Sequence, residues 1–197
     1  CFNFLSLWYY GLAFDTTAIL YINIPFILFS LLPLRANTNP SFQKFLFYLY
    51  FISNLLFYAT NFIDFIYYKY TFTRSTIVVV DVIKNETNLS VLFLGFLFSY
   101  WHTLLLFIVC SAVWIFLYKK VVVVHTQTIN RIPYFSVSIL FCMLTALLIV
   151  DGIRGGDFKK ATRPINIMDA CRHVKNISHS DIVLNTPFAI LRTLFKH

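Results

Sequence analysis

Asn61 and Asp64 stand one helical turn apart, so a helix through this stretch places both side chains on one face. Their neighbours are aromatic and aliphatic, and a carboxylate in so apolar a helix is costly enough to mark, by default, an ion path, a proton relay or a ligand site. A plainer reading stands beside the functional one. Near the end of a membrane-spanning helix, Asp64 reaches headgroups and water and needs only a local partner. Asp15 and Arg74 are expected at the same level as Asp64 and supply an acid and a base for an interfacial cluster. His102, beside Trp101, sits within another apolar stretch, where an imidazole more often hydrogen-bonds across helices than binds a ligand. The sequence contains no HExxH, CxxC pair, glycine-rich phosphate loop or nucleophile elbow. Its four cysteines, Cys1, Cys110, Cys142 and Cys171, are widely separated and form no metal or redox motif. Neither catalytic nor metal-ligating residues are expected within these 197 residues.

The elements that position such residues follow from composition. Hydrophobic residues make up 59% and charged residues 12%, with a mean hydropathy of +0.74, whereas a soluble domain carries about a quarter charged residues. Twenty-four charged side chains cannot cover a 23.1 kDa chain in water, so lipid replaces water over much of the surface. The 23 Phe, 12 Tyr and 3 Trp suit apolar helix faces with Tyr and Trp near the headgroups. Runs such as Phe26-Ile27-Leu28-Phe29 are apolar on every face, which argues against the strict alternation of a membrane barrel. The expected fold class is all-α: a polytopic transmembrane helical bundle with four full spans and a partial first one.

A hydrocarbon core of about 30 Å takes about 20 helical residues. Four stretches qualify, 16–34, 45–68, 90–118 and 134–151, and residues 1–10 read as the stump of a further helix. Pro25 and Pro33 predict a kink in the first full span. Residues 69–89 read as a loop or interfacial element. The domain division is 1–151 for the transmembrane part and 152–197 for a connector, in which Thr186-Pro187 predicts a helix start with Thr186 as N-cap and Pro187 at its first position. Residues 1–151 hold eight Lys/Arg against five acids, and 152–197 hold eight against three. A basic segment beside a membrane meets anionic headgroups; without any recognisable nucleic-acid module, no nucleic acid is expected as a partner.

Five segments carry a resemblance when read in order: Gly11-Leu12-Ala13-Phe14-Asp15, Tyr21-Ile22-Asn23-Ile24-Pro25-Phe26, Asn61 to Tyr68, Arg74-Ser75-Thr76, and Gly152-Ile153-Arg154-Gly155-Gly156 leading to Asn185-Thr186-Pro187-Phe188. Together they resemble the membrane portion of bacterial lipoteichoic acid synthase-like proteins, of the sulfatase and alkaline phosphatase superfamily, and most of all the phosphoglycerol-transferase members. The resemblance implies a bundle in the bacterial cytoplasmic (inner) membrane. It also implies a C-terminal catalytic domain beyond this chain, on the periplasmic or outer side, with a Thr nucleophile and a divalent metal, Mn or Zn. Such enzymes move phosphoglycerol or a similar headgroup from a phospholipid to a cell-envelope acceptor through a phospho-Thr intermediate, in metal-assisted covalent catalysis.

In that setting the tail faces outward and Lys119-Lys120 face the cytoplasm. The partners implied are membrane lipids and the protein's own catalytic domain. Asp15, Asn61, Asp64, Tyr68, Arg74 and Arg154 are then expected to cluster at the outer rim and bind the headgroup, with Arg74 and Arg154 as bidentate phosphate donors, or else to dock the connector. Two other classes compete. One is a small transporter or channel with Asn61, Asp64 and His102 along a polar path, although the spans show no inverted repeat. The other is a membrane scaffold without chemistry.

Overall fold

In the computed structural model, residues 2–32, 39–85, 87–121, 131–156, 163–174 and 179–194 are described. Residues 33–34 of the first expected span, and parts of the connector at 157–162, 175–178 and 195–197, lie outside them, as does Cys1. Among the described residues the elements are helices, in the order α1 (Phe2–Leu31), α2 (Pro40–Thr71), α3 (Val78–Asn85), α4 (Leu89–Ser99), α5 (Trp101–Lys119), α6 (Arg131–Ile153), α7 (Ile167–Ala170), a short 3-10 turn (Cys171–His173), α8 (Ser180–Val183) and α9 (Thr186–Leu194). Four are long and apolar enough to cross a bilayer: Leu5–Leu31, Pro40–Thr71, Trp101–Lys119 and Tyr134–Ile153. The all-α transmembrane bundle expected from composition is what the chain forms.

The N-terminal stretch 1–10 is helical from Phe2 and runs without a break into the first full span, giving a 30-residue helix. At about 1.5 Å per residue it is roughly 45 Å long, well over the ~30 Å hydrocarbon core. α1 is central, flanked by α2 and α6, and α5 lies beyond α2. α1 and α2 are tied by a reciprocal amide pair inside the bilayer: Asn23 Nδ2 donates to Asn54 Oδ1 at 3.0 Å, and Asn54 Nδ2 donates to Asn23 Oδ1 at 2.7 Å. Each Nδ2 also donates to the carbonyl one turn back, Ile19 and Tyr50, at 2.8 Å, so neither amide is left unpaired in lipid. Aromatic contacts join α2 to α5, with ring centroids 5.4 Å apart for Tyr50 and Tyr118 and 5.2 Å for Phe62 and Phe107. α6 meets α1 closely at Gly152, whose carbonyl accepts from Thr17 Oγ1 at 3.0 Å.

The expected span 90–118 departs from one continuous helix. α4 and α5 are separated at Tyr100, whose backbone (φ −120°, ψ 32°) leaves the helical region, while its hydroxyl pairs with that of Tyr70 at 2.7 Å. The loop expected over 69–89 contains α3.

The connector does not trail away. Leu7, Phe14 and Ala18 of α1 form a core with Ala170, Val183, Leu184 and Phe188. Phe14 meets Phe188 edge-on at 5.1 Å, and each buried ring is worth about 1.5–3 kcal/mol. Gly11 lets the tail lie close, since a Cβ there would already stand 3.4 Å from the Val183 carbonyl oxygen. The overlong end of α1 therefore serves as the strut of a small cap at one end of the bundle. The start of α9 is one residue earlier than expected: Asn185 Oδ1 accepts from Phe188 N at 2.7 Å, so Asn185 caps the helix. Thr186 and Pro187 are buried within its first turn.

Candidate functional site at the cap end of the bundle

α2 ends in a left-handed residue, Phe72 (φ 55°, ψ 22°), whose N–H returns to the Tyr68 carbonyl at 2.9 Å. That turn folds the next residues back along α2 and puts Arg74 and Ser75 against Asp64. Asp64 is fully buried. Its Oδ2 accepts from Arg74 Nη1 at 2.7 Å, and its Oδ1 accepts from Ser75 N at 2.8 Å and Ser75 Oγ at 2.5 Å. Three donors, one of them a cation, make this burial tolerable.

Arg74 also reaches the tail. Its Nε donates to the backbone carbonyl of Asp181 at 2.9 Å, and its guanidinium carbon lies 5.8 Å from the centre of the Tyr68 ring. The Tyr68 hydroxyl donates to Asp181 Oδ2 at 3.4 Å. Burial pushes the Asp181 carboxyl above the usual carboxylate range; the Arg74 charge and the Tyr68 hydroxyl oppose this, and the Asp64 charge adds to it. Further along the tail, Asn185 Nδ2 donates to Asp15 Oδ1 at 2.5 Å. Thr193 Oγ1 accepts from Ile77 N at 3.1 Å. Arg192 donates to the Ile165 carbonyl and lies 5.6 Å from the ring centres of both Tyr21 and Phe188.

The six residues expected at one rim thus divide. Asp64, Tyr68 and Arg74 meet in one network, which takes in Ser75 and Asp181. Asp15 joins the tail separately through Asn185, and among the described residues it makes no ion pair with Arg74. Asn61, a turn before Asp64, is half-buried and has no side-chain hydrogen bond among the described residues. Arg154 belongs elsewhere, at the mouth of a groove between α1 and α6. Sequence reasoning missed Ser75 as a partner of the buried acid and Asp181 as a partner of Arg74 and Tyr68. The signal for Ser75 was adjacency to Arg74; Asp181 had none, since it is 107 residues from Arg74.

The arrangement is a latch. It offers a saturated carboxylate, an arginine with two of its donors engaged and, in Ser75, a buried hydroxyl that already donates to that carboxylate. Among the described residues no three His, Cys, Asp or Glu side chains gather as metal ligands, so none of them is assigned the divalent metal that the resemblance implies. His102 is exposed on α5 and packs against the edge of Trp101. No protein-family model, curated protein or solved structure matches the chain.

Proposed function

We propose that this chain is the membrane-anchoring domain of a lipoteichoic acid synthase-like transferase, seated in a bacterial cytoplasmic membrane with its tail on the outer side. The working role of the bundle is to hold the connector to a catalytic domain in a fixed position at the lipid surface. That domain would carry the metal and take a phosphoglycerol or similar headgroup from a phospholipid to an envelope acceptor. The observation that carries this reading is the latch: a buried Asp64–Arg74 ion pair whose arginine also grips the tail at Asp181, backed by Asp15–Asn185. A tail with no task beyond leaving the membrane needs no such docking.

The transporter reading draws less support. The amides of Asn23 and Asn54 satisfy each other and their own helices, and Asp64 is closed off by Arg74 and Ser75. The test is to isolate the native polypeptide from its source membranes, with Mn²⁺ or Zn²⁺ supplied, and to follow diacylglycerol release from labelled phosphatidylglycerol. Release that is lost when Arg74→Ala loosens the connector is the expected result. A native polypeptide that releases no diacylglycerol from phosphatidylglycerol or phosphatidylethanolamine rejects the reading.

A further inference from the structure

A cavity of about 1070 Å³ lies between α1, α6 and tail residues Arg163, Ile165, Asp169 and Arg172, open on one side. Its lower walls are Leu20 and Ile27 from α1 and Thr145, Leu148 and Ile149 from α6; its mouth carries Asp151 and Arg154. From Thr145 to Arg154 is nine residues, about 14 Å of helix at 1.5 Å each, close to one leaflet's share of a ~30 Å hydrocarbon core.

The mouth is built by the end of α6. Gly155 N donates to the Gly152 carbonyl at 3.1 Å and Gly156 N to the Asp151 carbonyl at 3.0 Å, with Gly155 at φ 84° and Gly156 at φ 75°. This is a Schellman closure, and it fixes Arg154 as the last residue before the turn. Asp151 and Arg154 do not pair with each other, and among the described residues neither side chain has a hydrogen-bond or ion-pair partner; Asp151 Oδ1 is buried and unpartnered. Arg163, Asp169 and Arg172 line the same cavity but are paired with one another. Asp169 takes Arg163 at 2.8 Å and Arg172 at 3.3 Å, and both arginines are largely exposed to water. A cation and an anion without partners among the described residues, three positions apart above an apolar slot about one leaflet deep, complement a zwitterionic headgroup on an acyl chain.

We infer that this groove holds one membrane lipid of the phosphatidylethanolamine type, with its phosphate on Arg154, its primary ammonium on Asp151 and an acyl chain along Leu20, Ile27 and Leu148. An ammonium answers a half-buried carboxylate with an unpartnered oxygen more fully than a hydroxyl does, because both charge and hydrogen bonds are satisfied. A quaternary choline lacks the N–H donors and does not qualify. The inference needs only a membrane-spanning chain, and it stands or falls independently of the transferase reading.

The experiment is lipid retention. The chain is reconstituted in vesicles of equal parts phosphatidylethanolamine, phosphatidylglycerol and phosphatidylcholine, extracted in mild detergent, and its co-purifying lipid is quantified by mass spectrometry. Wild type should retain phosphatidylethanolamine above its share of the mixture. Asp151→Asn and Arg154→Gln should each lower that enrichment about tenfold, the scale of losing a charge-assisted partner. Leu148→Trp fills the slot without touching the charges and should abolish retention while the helical circular dichroism is unchanged; it also decides the matter if a charge variant fails to fold. Retained lipid that mirrors the mixture, preferential retention of phosphatidylglycerol or phosphatidylcholine, or enrichment indifferent to Leu148→Trp overturns the inference.

Discussion

Arg74 holds Asp64 by Nη1 and the Asp181 carbonyl by Nε, at 2.7 and 2.9 Å, so a single guanidinium joins the end of a membrane helix to the tail that follows the last span. The two contacts leave its fork in different directions, a geometry that a lysine ammonium does not reproduce.

Removing the buried partner exposes the strength of this joint. Asp64→Ala leaves the buried Ser75 N–H and hydroxyl without their acceptor and frees Arg74. The expected loss is about 3–5 kcal/mol, the range for breaking a buried pair from one side. Arg74→Lys keeps the charge but gives up the second contact, and about 1.5–3 kcal/mol is expected. Unfolding in mixed micelles, followed by tryptophan fluorescence, measures both; equal losses for the two variants would refute the two-contact account.

Asp181 makes the tail sensitive to pH. Its carboxyl titrates above the ordinary value of 3.8, chiefly through burial, so the folded chain holds that proton more tightly than the unfolded chain. Its contribution to stability is fully present below about pH 4 and is lost as pH rises through the folded value. Asp181→Asn removes this loss, and the stability of the variant relative to wild type should increase between about pH 4 and pH 7. Protease cleavage of the tail across that range measures it, and a constant difference would discard the assignment to Asp181.

Asn23 and Asn54 should behave as a pair. Asn54→Leu alone strands the Asn23 amide in lipid and should cost about 1 kcal/mol, the usual scale for interhelical hydrogen bonds in membranes. Asn23→Leu with Asn54→Leu removes both polar groups and should recover much of that cost. A double variant weaker than the sum of the single ones would contradict this.

Gly152 and Gly95 separate packing from helix propensity. A Cβ at Gly152 would stand 2.3 Å from Leu20 Cδ1, whereas nothing lies within 4 Å of one at Gly95. Gly152→Ala forces the Leu20 side chain to another rotamer, which should offset the about 0.5–1 kcal/mol that a Gly-to-Ala change gains in a helix, and Leu20→Ala should restore that gain. Gly95→Ala should be neutral or stabilise by about 0.5–1 kcal/mol. Thermal melts of the three variants in detergent give the comparison.

The spans were readable because twenty apolar residues in a row admit few other folds, and Asp64 stood out because a charge there is expensive. What stayed hidden was which residues pair with Asp64, Arg74 and Asp15. Ser75, beside Arg74, carried a weak signal; Asp181 and Asn185 are ordinary loop residues by type, and their partners lie 107 and 170 positions away, for which a single sequence carries no local signal. The break at Tyr100 has no glycine or proline to mark it. Asn185 and Thr186 are both good caps, and the choice between them fell to Asp15, which holds the Asn185 side chain in place. Arg154 was grouped with Arg74 by charge and by end of bundle; the packing of α6 against α1 puts it in the groove instead.

The cap's strut, α1, is translated well before the residues that close over it. At about 5–20 residues per second, the 170 positions between Asp15 and Asn185 take roughly 10–30 s to synthesise. For that interval Phe14 and Asp15 wait without their partners, although α1 itself is already in the bilayer. Assembly of the cap therefore waits for α9, and a polypeptide released before α9 emerges presents an uncovered α1 to the quality-control machinery of the membrane.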